Sequence, residues 1–77
     1  MLNIEKIQNV YISNSMLHVA LLNGKNFSVS LKRYPRLFDA SKVQRANWEI
    51  CGGGYGIHWP EINEDLNVET LLKESEL

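Results

Sequence analysis

Apolar and polar residues alternate over two segments in the first half of the chain. Segments 16–22 and 26–31 carry apolar residues at every second position, which predicts strands that bury one face each. Asn23 and Gly24 stand between the two segments. Asn-Gly between alternating segments predicts a tight hairpin with a type I′ turn, because both central residues of that turn need positive φ.

Residues 4–12 are rich in β-branched side chains, but their apolar positions recur every three residues before they alternate. That spacing alone leaves a helix open. The β-branched content and the turn residues at 13–15 favour a strand with a bulge near Gln8 and Asn9. The first three strands are therefore expected to form an antiparallel meander.

Two short helices are predicted after the meander. Pro35 suits the first turn of a helix, because its missing N–H would have no partner there. Leu37 and Phe38 would then cover the sheet. Ser41 followed by Gln44 three positions later matches a capping box, which predicts a second helical turn.

A second hairpin is predicted around the glycine cluster 52–56. Segments 48–51 and 56–59 would be its strands, and antiparallel pairing allows one register. In that register the opposite residues are Trp48 with Trp59, Glu49 with His58, and Ile50 with Ile57. The tryptophans and isoleucines share one face, where they are expected to form a wall of the core.

The chain is predicted to end in a helix near 68–74. Pro60 ends the preceding strand or places it at an edge of the sheet. Asn67 is a favourable N-cap residue, and Leu66 and Leu71 occupy the positions of a hydrophobic staple. The predicted order is βββαββα. This is an α+β fold, with a small antiparallel sheet made of a three-stranded meander and a C-terminal hairpin.

Composition limits the chain to one domain, residues 1–77. It has 44% hydrophobic and 22% charged residues, a formal net charge of -1 and a pI near 6.1, so it has no general electrostatic attraction to nucleic acid. One cysteine excludes an intrachain disulfide. The sequence shows neither a signal-peptide pattern nor the roughly 20 apolar residues of a membrane span. We expect a cytoplasmic protein without a membrane segment.

Catalysis could use Glu49, Cys51 and His58. Cys51 as nucleophile would need His58 within about 3 Å as its base. The register leaves that geometry open, but no oxyanion site is evident, and a solvated cross-strand pair accounts for Glu49 and His58. We therefore expect a non-enzymatic protein.

No cofactor or metal is expected either. The glycine cluster is followed by a predicted strand rather than a helix, and it lacks the Lys-Ser/Thr of a phosphate-binding loop. Histidine and cysteine positions match no metal-binding spacing. The glycines instead predict a tight loop with positive φ angles.

One region of the acidic chain is basic, and it surrounds Tyr34. Cations interleaved with an aromatic ring can bind phosphates and stack on bases. An alternative function is therefore nucleic-acid or operator binding by a homodimer. The residues that would make this contact are Lys32, Arg33, Arg36, Lys42 and Arg45.

Two stretches carry a family resemblance, YPRLFDAS and RANWEICGGGYGIHWPEINEDLNVETLL. With the strand, Asn-Gly turn and strand at the start, they resemble the bacterial domain of unknown function 2442 family over nearly the whole chain. Asn63 departs from the pattern, which commonly has Asp there. The resemblance implies a βββαββα fold and no established activity.

The resemblance also implies a binding partner. Members of this kind are often encoded beside a small protein of the domain of unknown function 4160 family, in a toxin–antitoxin-like arrangement. We therefore expect an antitoxin-like module that binds a small protein through its acidic segment and the adjacent aromatic rim. The residues of this expected site are Tyr55, His58, Trp59, Glu61, Glu64 and Asp65.

Overall fold

The computed structural model describes residues 5–75, and its first sheet is the predicted meander. The strands are β1 (Ile7–Ser13), β2 (Met16–Leu21) and β3 (Asn26–Ser30), in the order β1-β2-β3. The register of β1 shifts between Ile7 and Asn9, which confirms the predicted bulge. Because the bulge inserts one residue, both Ile7 and Val10 face the core, and this accounts for their spacing of three.

The two turns of this sheet differ in type. Asn14 and Ser15 have φ angles of 51° and 59°, so the β1–β2 turn is the one with two left-handed central residues. At the β2–β3 turn only Gly24 has positive φ, 87°, and its N–H donates to the Leu21 carbonyl at 3.0 Å. The predicted type I′ turn at Asn23-Gly24 is therefore wrong. A type I turn closed by a left-handed glycine takes its place.

Helix α1 (Pro35–Phe38) begins at the predicted proline. Leu37 is fully buried, as predicted, but Phe38 is 39% exposed, so the expectation that both residues cover the sheet is wrong for Phe38. Successive residues of a helix diverge by about 100°, and a helix this short presents only one of these two side chains to the core.

Helix α2 (Lys42–Ala46) has the predicted capping box. The Gln44 N–H donates to the Ser41 hydroxyl oxygen at 3.1 Å, and the Ser41 N–H donates to the Gln44 side-chain oxygen at 3.0 Å. Two of the first backbone donors of this helix are therefore satisfied locally.

The second sheet contains the predicted hairpin and one more strand. Its strands are β4 (Glu49–Cys51), β5 (Gly56–Trp59) and β6 (Glu64–Asn67), in the order β4-β5-β6. Glu49 lies opposite His58 and Ile50 opposite Ile57, which confirms that part of the register. The fold is α+β and keeps the predicted order, with β6 added before the last helix.

The predicted core wall is only half formed. Ile57 and Trp59 are fully buried, but Ile50 is 38% exposed, and Trp48 is half-buried and precedes β4 instead of pairing within it. The reason is the position of β4. It is an edge strand, so the side chains on its core side lie at the margin of the core and are only partly covered.

Helix α3 (Val68–Ser75) ends the described part of the chain. The Asn67 side-chain oxygen accepts a hydrogen bond from the Thr70 N–H at 2.9 Å, which confirms the predicted N-cap. Val68 and Leu71 are fully buried. The two sheets, α1 and α3 share one core. Its largest fully buried side chains are Trp59, Leu17, Leu31, Leu37, Ile57, Leu71, Val19 and Val68.

Tyr34 links the core to α3. Its side chain is buried, and its hydroxyl donates to the Glu74 carboxylate. Burial raises the pKa of Tyr34 well above its ordinary value near 10, and the hydrogen bond to Glu74 raises it further.

We expect stability to depend on this tyrosine at high pH. Below pH 10 the phenol is protonated in both states, and above that only the unfolded state ionises readily. The free energy of unfolding should then fall by up to about 1.4 kcal/mol per pH unit. Urea unfolding between about pH 9 and 11 should show this fall, and Tyr34→Phe should remove that part of the slope. Equal slopes for both proteins would contradict the assignment.

Candidate functional site

A row of ionisable side chains crosses the outer face of the second sheet. Glu49, His58 and Asp65 are cross-strand neighbours on β4, β5 and β6. Nδ1 of His58 lies 2.6 Å from Oδ1 of Asp65, so the imidazole N–H donates to that carboxylate. The histidine thus has one carboxylate on each side, and its ring is oriented by β6. We call this side of the sheet the outer face.

Next to this row the outer face has a shallow depression of about 280 Å³. Gly56 forms its floor, Cys51 and Tyr55 line its sides, and the backbone of β6 at Leu66 borders it. A Cβ atom at Gly56 would lie 2.9 Å from the Cys51 Sγ. Residue 56 therefore has to lack a side chain for Cys51 to occupy its position beside the depression. Asp65 lies on its rim, and its side chain is 68% exposed.

The glycine cluster forms the loop that leads into this floor. Gly52, Gly53 and Gly54 all have positive φ angles, between 58° and 102°, as predicted. Only glycine adopts such a run without strain. The loop returns the chain tightly, so that Tyr55 reaches the side of the depression.

The structure divides the predicted acidic site between two faces. Asp65 is opposite His58 on the outer face, but Glu64 is opposite Trp59 and so begins on the core side of the sheet, because successive strand residues alternate. Its negative charge adds to the increase in the pKa of Tyr34. Glu61 lies in the turn before β6 and accepts a hydrogen bond from the Asn47 amide at 2.9 Å.

Trp59 cannot belong to an exposed rim. Its side chain is fully buried, and its indole N–H donates to the Arg45 carbonyl at 3.0 Å. Of the expected partner-binding residues, the structure brings together Tyr55, His58 and Asp65. It adds Glu49, Cys51 and Gly56 to them.

The catalytic alternative has no assembled site in residues 5–75. Cys51 lies opposite Gly56 rather than His58, and the described Nδ1 contact of His58 is with Asp65. A nucleophile and base would have to be within hydrogen-bonding distance, and this part of the chain shows no such bond between them. It also has no group of three or more residues suited to hold a metal ion.

The residues of the predicted basic region differ in their contacts. Arg36 donates to the Asn63 carbonyl at 3.0 Å. Arg45 donates through Nε to the Leu37 carbonyl at 2.9 Å and through Nη2 to the Phe38 carbonyl. These arginines hold the connecting helices in place. Lys32 and Arg33 lie on the 3-10 turn Leu31–Arg33, and Lys42 is the first residue of α2.

Lys42 and Arg45 do meet at a second concavity, which we call the basic cleft. It lies beside the β1–β2 turn and α2 and has a volume of about 530 Å³. Tyr11 and Trp48 also line it. Sequence reasoning missed the combination, because these residues are brought together only when α2 packs against β1.

The structure thus defines a small α+β domain, in which two three-stranded antiparallel sheets share a core and one sheet has an exposed, carboxylate-edged outer face. The chain belongs to the family described as Protein of unknown function (DUF2442), whose family model matches residues 7–76. This confirms the resemblance noted from the sequence.

A solved structure is similar over most of its length. The crystal structure of a protein of unknown function from Rhodospirillum rubrum ATCC 11170 has a TM-score of 0.79 and 29% sequence identity. The match covers 92% of this chain and 88% of that one. Comparison with the curated proteins finds no match. Within residues 5–75, no helix has both the length and the apolar character needed to cross a membrane.

Proposed function

We propose that this protein is a non-enzymatic module that binds a small basic protein through its outer face. An antitoxin-like role toward the product of a neighbouring gene is the form of this function that the family resemblance implies. The observation that carries the proposal is the depression over Gly56 with the exposed Asp65 carboxylate on its rim. Small apolar pockets beside a charge are suited to anchor residues of a partner.

The chemistry of the face favours a lysine or arginine as the anchor. Such a side chain can lay its apolar stem between Cys51 and Tyr55 and keep its charged head near Asp65. Glu49 and Asp65 lie on either side of His58 and make the surroundings negative. An approaching cation is attracted, and a carboxylate is repelled.

The position of β6 adds a second mode of contact. It is an edge strand of the second sheet, so half of its backbone groups point away from β5, toward the side on which another strand could pair. A partner could add a strand there while it places one basic side chain in the depression. Backbone pairing would supply affinity, and the depression would supply specificity.

The proposal is tested by co-expressing the protein with the product of the adjacent gene and measuring affinity for the purified partner. Asp65→Asn removes the rim charge and keeps the shape. We expect it to weaken binding by at least about tenfold, because a hydrogen bond to a charged group is worth about 1.5–3 kcal/mol. Isothermal titration calorimetry would measure the change.

Glu64→Gln is the matched control. It neutralises the neighbouring carboxylate, which begins on the opposite side of β6, and it should leave affinity within about twofold of the wild type. If both variants bind equally, the outer face is not the site. If no protein co-purifies, and a toxic neighbour is not rescued, the proposed role itself is wrong.

A further inference from the structure

We infer that the basic cleft is a binding site for a phosphorylated nucleoside, either a free nucleotide or one within a single-stranded nucleic acid. The inference is independent of the proposed protein-binding function, because the two sites share no residue. Its volume of about 530 Å³ lies within the range of about 300–1,000 Å³ that small-molecule sites occupy.

The charges that line the cleft are all positive. Among the residues that the structure describes, Lys42 and Arg45 are its two ionised side chains, and no carboxylate lines it. Arg45 is held by its hydrogen bonds to the carbonyls of Leu37 and Phe38. One cation is therefore fixed in position before any ligand arrives, while the exposed Lys42 is free to adjust to it. This pairing suits a phosphate or carboxylate.

Two aromatic residues, Tyr11 and Trp48, line the same cleft. Tyr11 is 58% exposed, yet its ring stacks on His18, with centroids 4.5 Å apart and an interplanar angle of 21°. His18 is in turn held by the hydroxyls of Ser13 and Ser28, at 3.0 and 2.7 Å. The tyrosine is thus an exposed ring with a set orientation. Such rings serve as stacking surfaces for nucleic-acid bases.

Polar groups complete the cleft. Ser13, Asn14 and Ser15 line it at the β1–β2 turn, and the side chains of Asn14 and Ser15 can donate and accept hydrogen bonds. A ligand that uses all three parts must have an anionic group, a planar ring and a polar portion between or beside them. A nucleotide has this composition. An acidic peptide has the charge but needs no stacking surface.

Tryptophan fluorescence can report the binding. The chain has two tryptophans. Trp48 lines the cleft, whereas Trp59 is fully buried in the core. Titration with AMP or UMP, and separately with an oligothymidylate of about eight nucleotides, is expected to quench the emission with saturation. Trp48→Phe should remove the signal change. Binding by only the mononucleotides, or only the oligonucleotide, identifies the source of the ligand.

Partial ligands test the two halves of the inference. Adenosine lacks the phosphate, and ribose 5-phosphate lacks the base, so each should bind at least about tenfold more weakly than AMP. A peptide rich in glutamate serves as the competing class of ligand. Tighter binding of this peptide than of any nucleotide would overturn the assignment, as would the absence of binding by AMP, UMP and the oligonucleotide.

Variants assign the binding to the cleft. Lys42→Gln should weaken oligonucleotide binding several-fold and reduce the slope of log K against log salt by about 0.7, the contribution of one phosphate contact in single strands. Lys32→Gln removes an exposed lysine that does not line the cleft and should leave both values unchanged. Equal effects of the two substitutions would show that the binding is not at the cleft. Circular dichroism would confirm that both variants fold.

Discussion

Replacement of Trp59 by alanine is expected to unfold this protein or bring it close to unfolding. Truncation of a fully buried aromatic side chain costs about 3–5 kcal/mol. It would also leave the Arg45 carbonyl without the indole N–H that now donates to it, which costs about 1–3 kcal/mol if the carbonyl stays buried. A domain of this size has only a few kcal/mol of net stability. Urea unfolding followed by circular dichroism would measure the loss.

Trp48→Ala is the matched control for this prediction. Trp48 is half-buried and packs against the edge of the core, so its truncation should cost about half as much or less. The loss for Trp59→Phe should lie between the losses of the two alanine variants, because phenylalanine keeps most of the packing and loses the hydrogen bond. Equal losses in the free energy of unfolding for the two alanine variants would contradict the finding that Trp59 is buried in the core and Trp48 only half-buried.

Leu37→Ala is expected to have the next largest effect, a loss of about 2–5 kcal/mol in the free energy of unfolding. Leu37 is fully buried, and it is the buried residue of a helix of four residues. That helix has too few internal hydrogen bonds to persist without its contact with the core. The loss should therefore appear as a lower urea midpoint with an almost unchanged m-value.

The neighbouring substitution, Phe38→Ala, provides the comparison. Because Phe38 is 39% exposed, its truncation should cost less than about 1.5 kcal/mol, and alanine is favourable in a helix. Both variants should be measured in the same buffer, so that solvent conditions do not contribute to the difference. A larger loss for Phe38→Ala than for Leu37→Ala would mean that α1 is rotated about its axis relative to this structure.

Elements whose signals lie within a few residues were predicted correctly. The alternation in β2 and β3, the capping box at Ser41, and the N-cap at Asn67 each depend on neighbours in the chain. The bulge in β1 was predicted because one extra residue in a strand changes the spacing of its core-facing residues from two to three. The turn type at Asn23-Gly24 was predicted wrongly, because the geometry of a turn also depends on how the strands twist.

Strand β6 was not predicted, because its own residues do not indicate a strand. Its sequence, Glu-Asp-Leu-Asn, has one apolar residue and two acids of low strand propensity. It is extended because β5 offers it backbone partners and because Leu66 faces the same side as Ile57. Without that pairing, the acidic residues looked like a solvated loop.

The candidate sites illustrate the same division. The sequence led to the prediction that the acidic residues and Tyr55 form one site, but it could not assign Glu64 and Asp65 to opposite sides of one strand. It identified Lys42 and Arg45 as cations, but it could not place Tyr11 and Trp48 beside them. Both arrangements join residues that are distant in sequence.

By itself, the sequence determined the fold class, the order of the predicted elements, the register of β4 with β5, and the family. The fold class, the order and the register follow from periodicity, caps and turn residues, which act over short stretches of chain. The family follows from the resemblance of two longer stretches of the sequence. Only the tertiary structure decided that Trp59 is buried while Trp48 lines a cleft, and that Asp65 rather than Glu64 edges the depression. The physical reason is that the burial and the orientation of a side chain depend on which distant segment packs against it. The residues next to it in the sequence do not identify that segment.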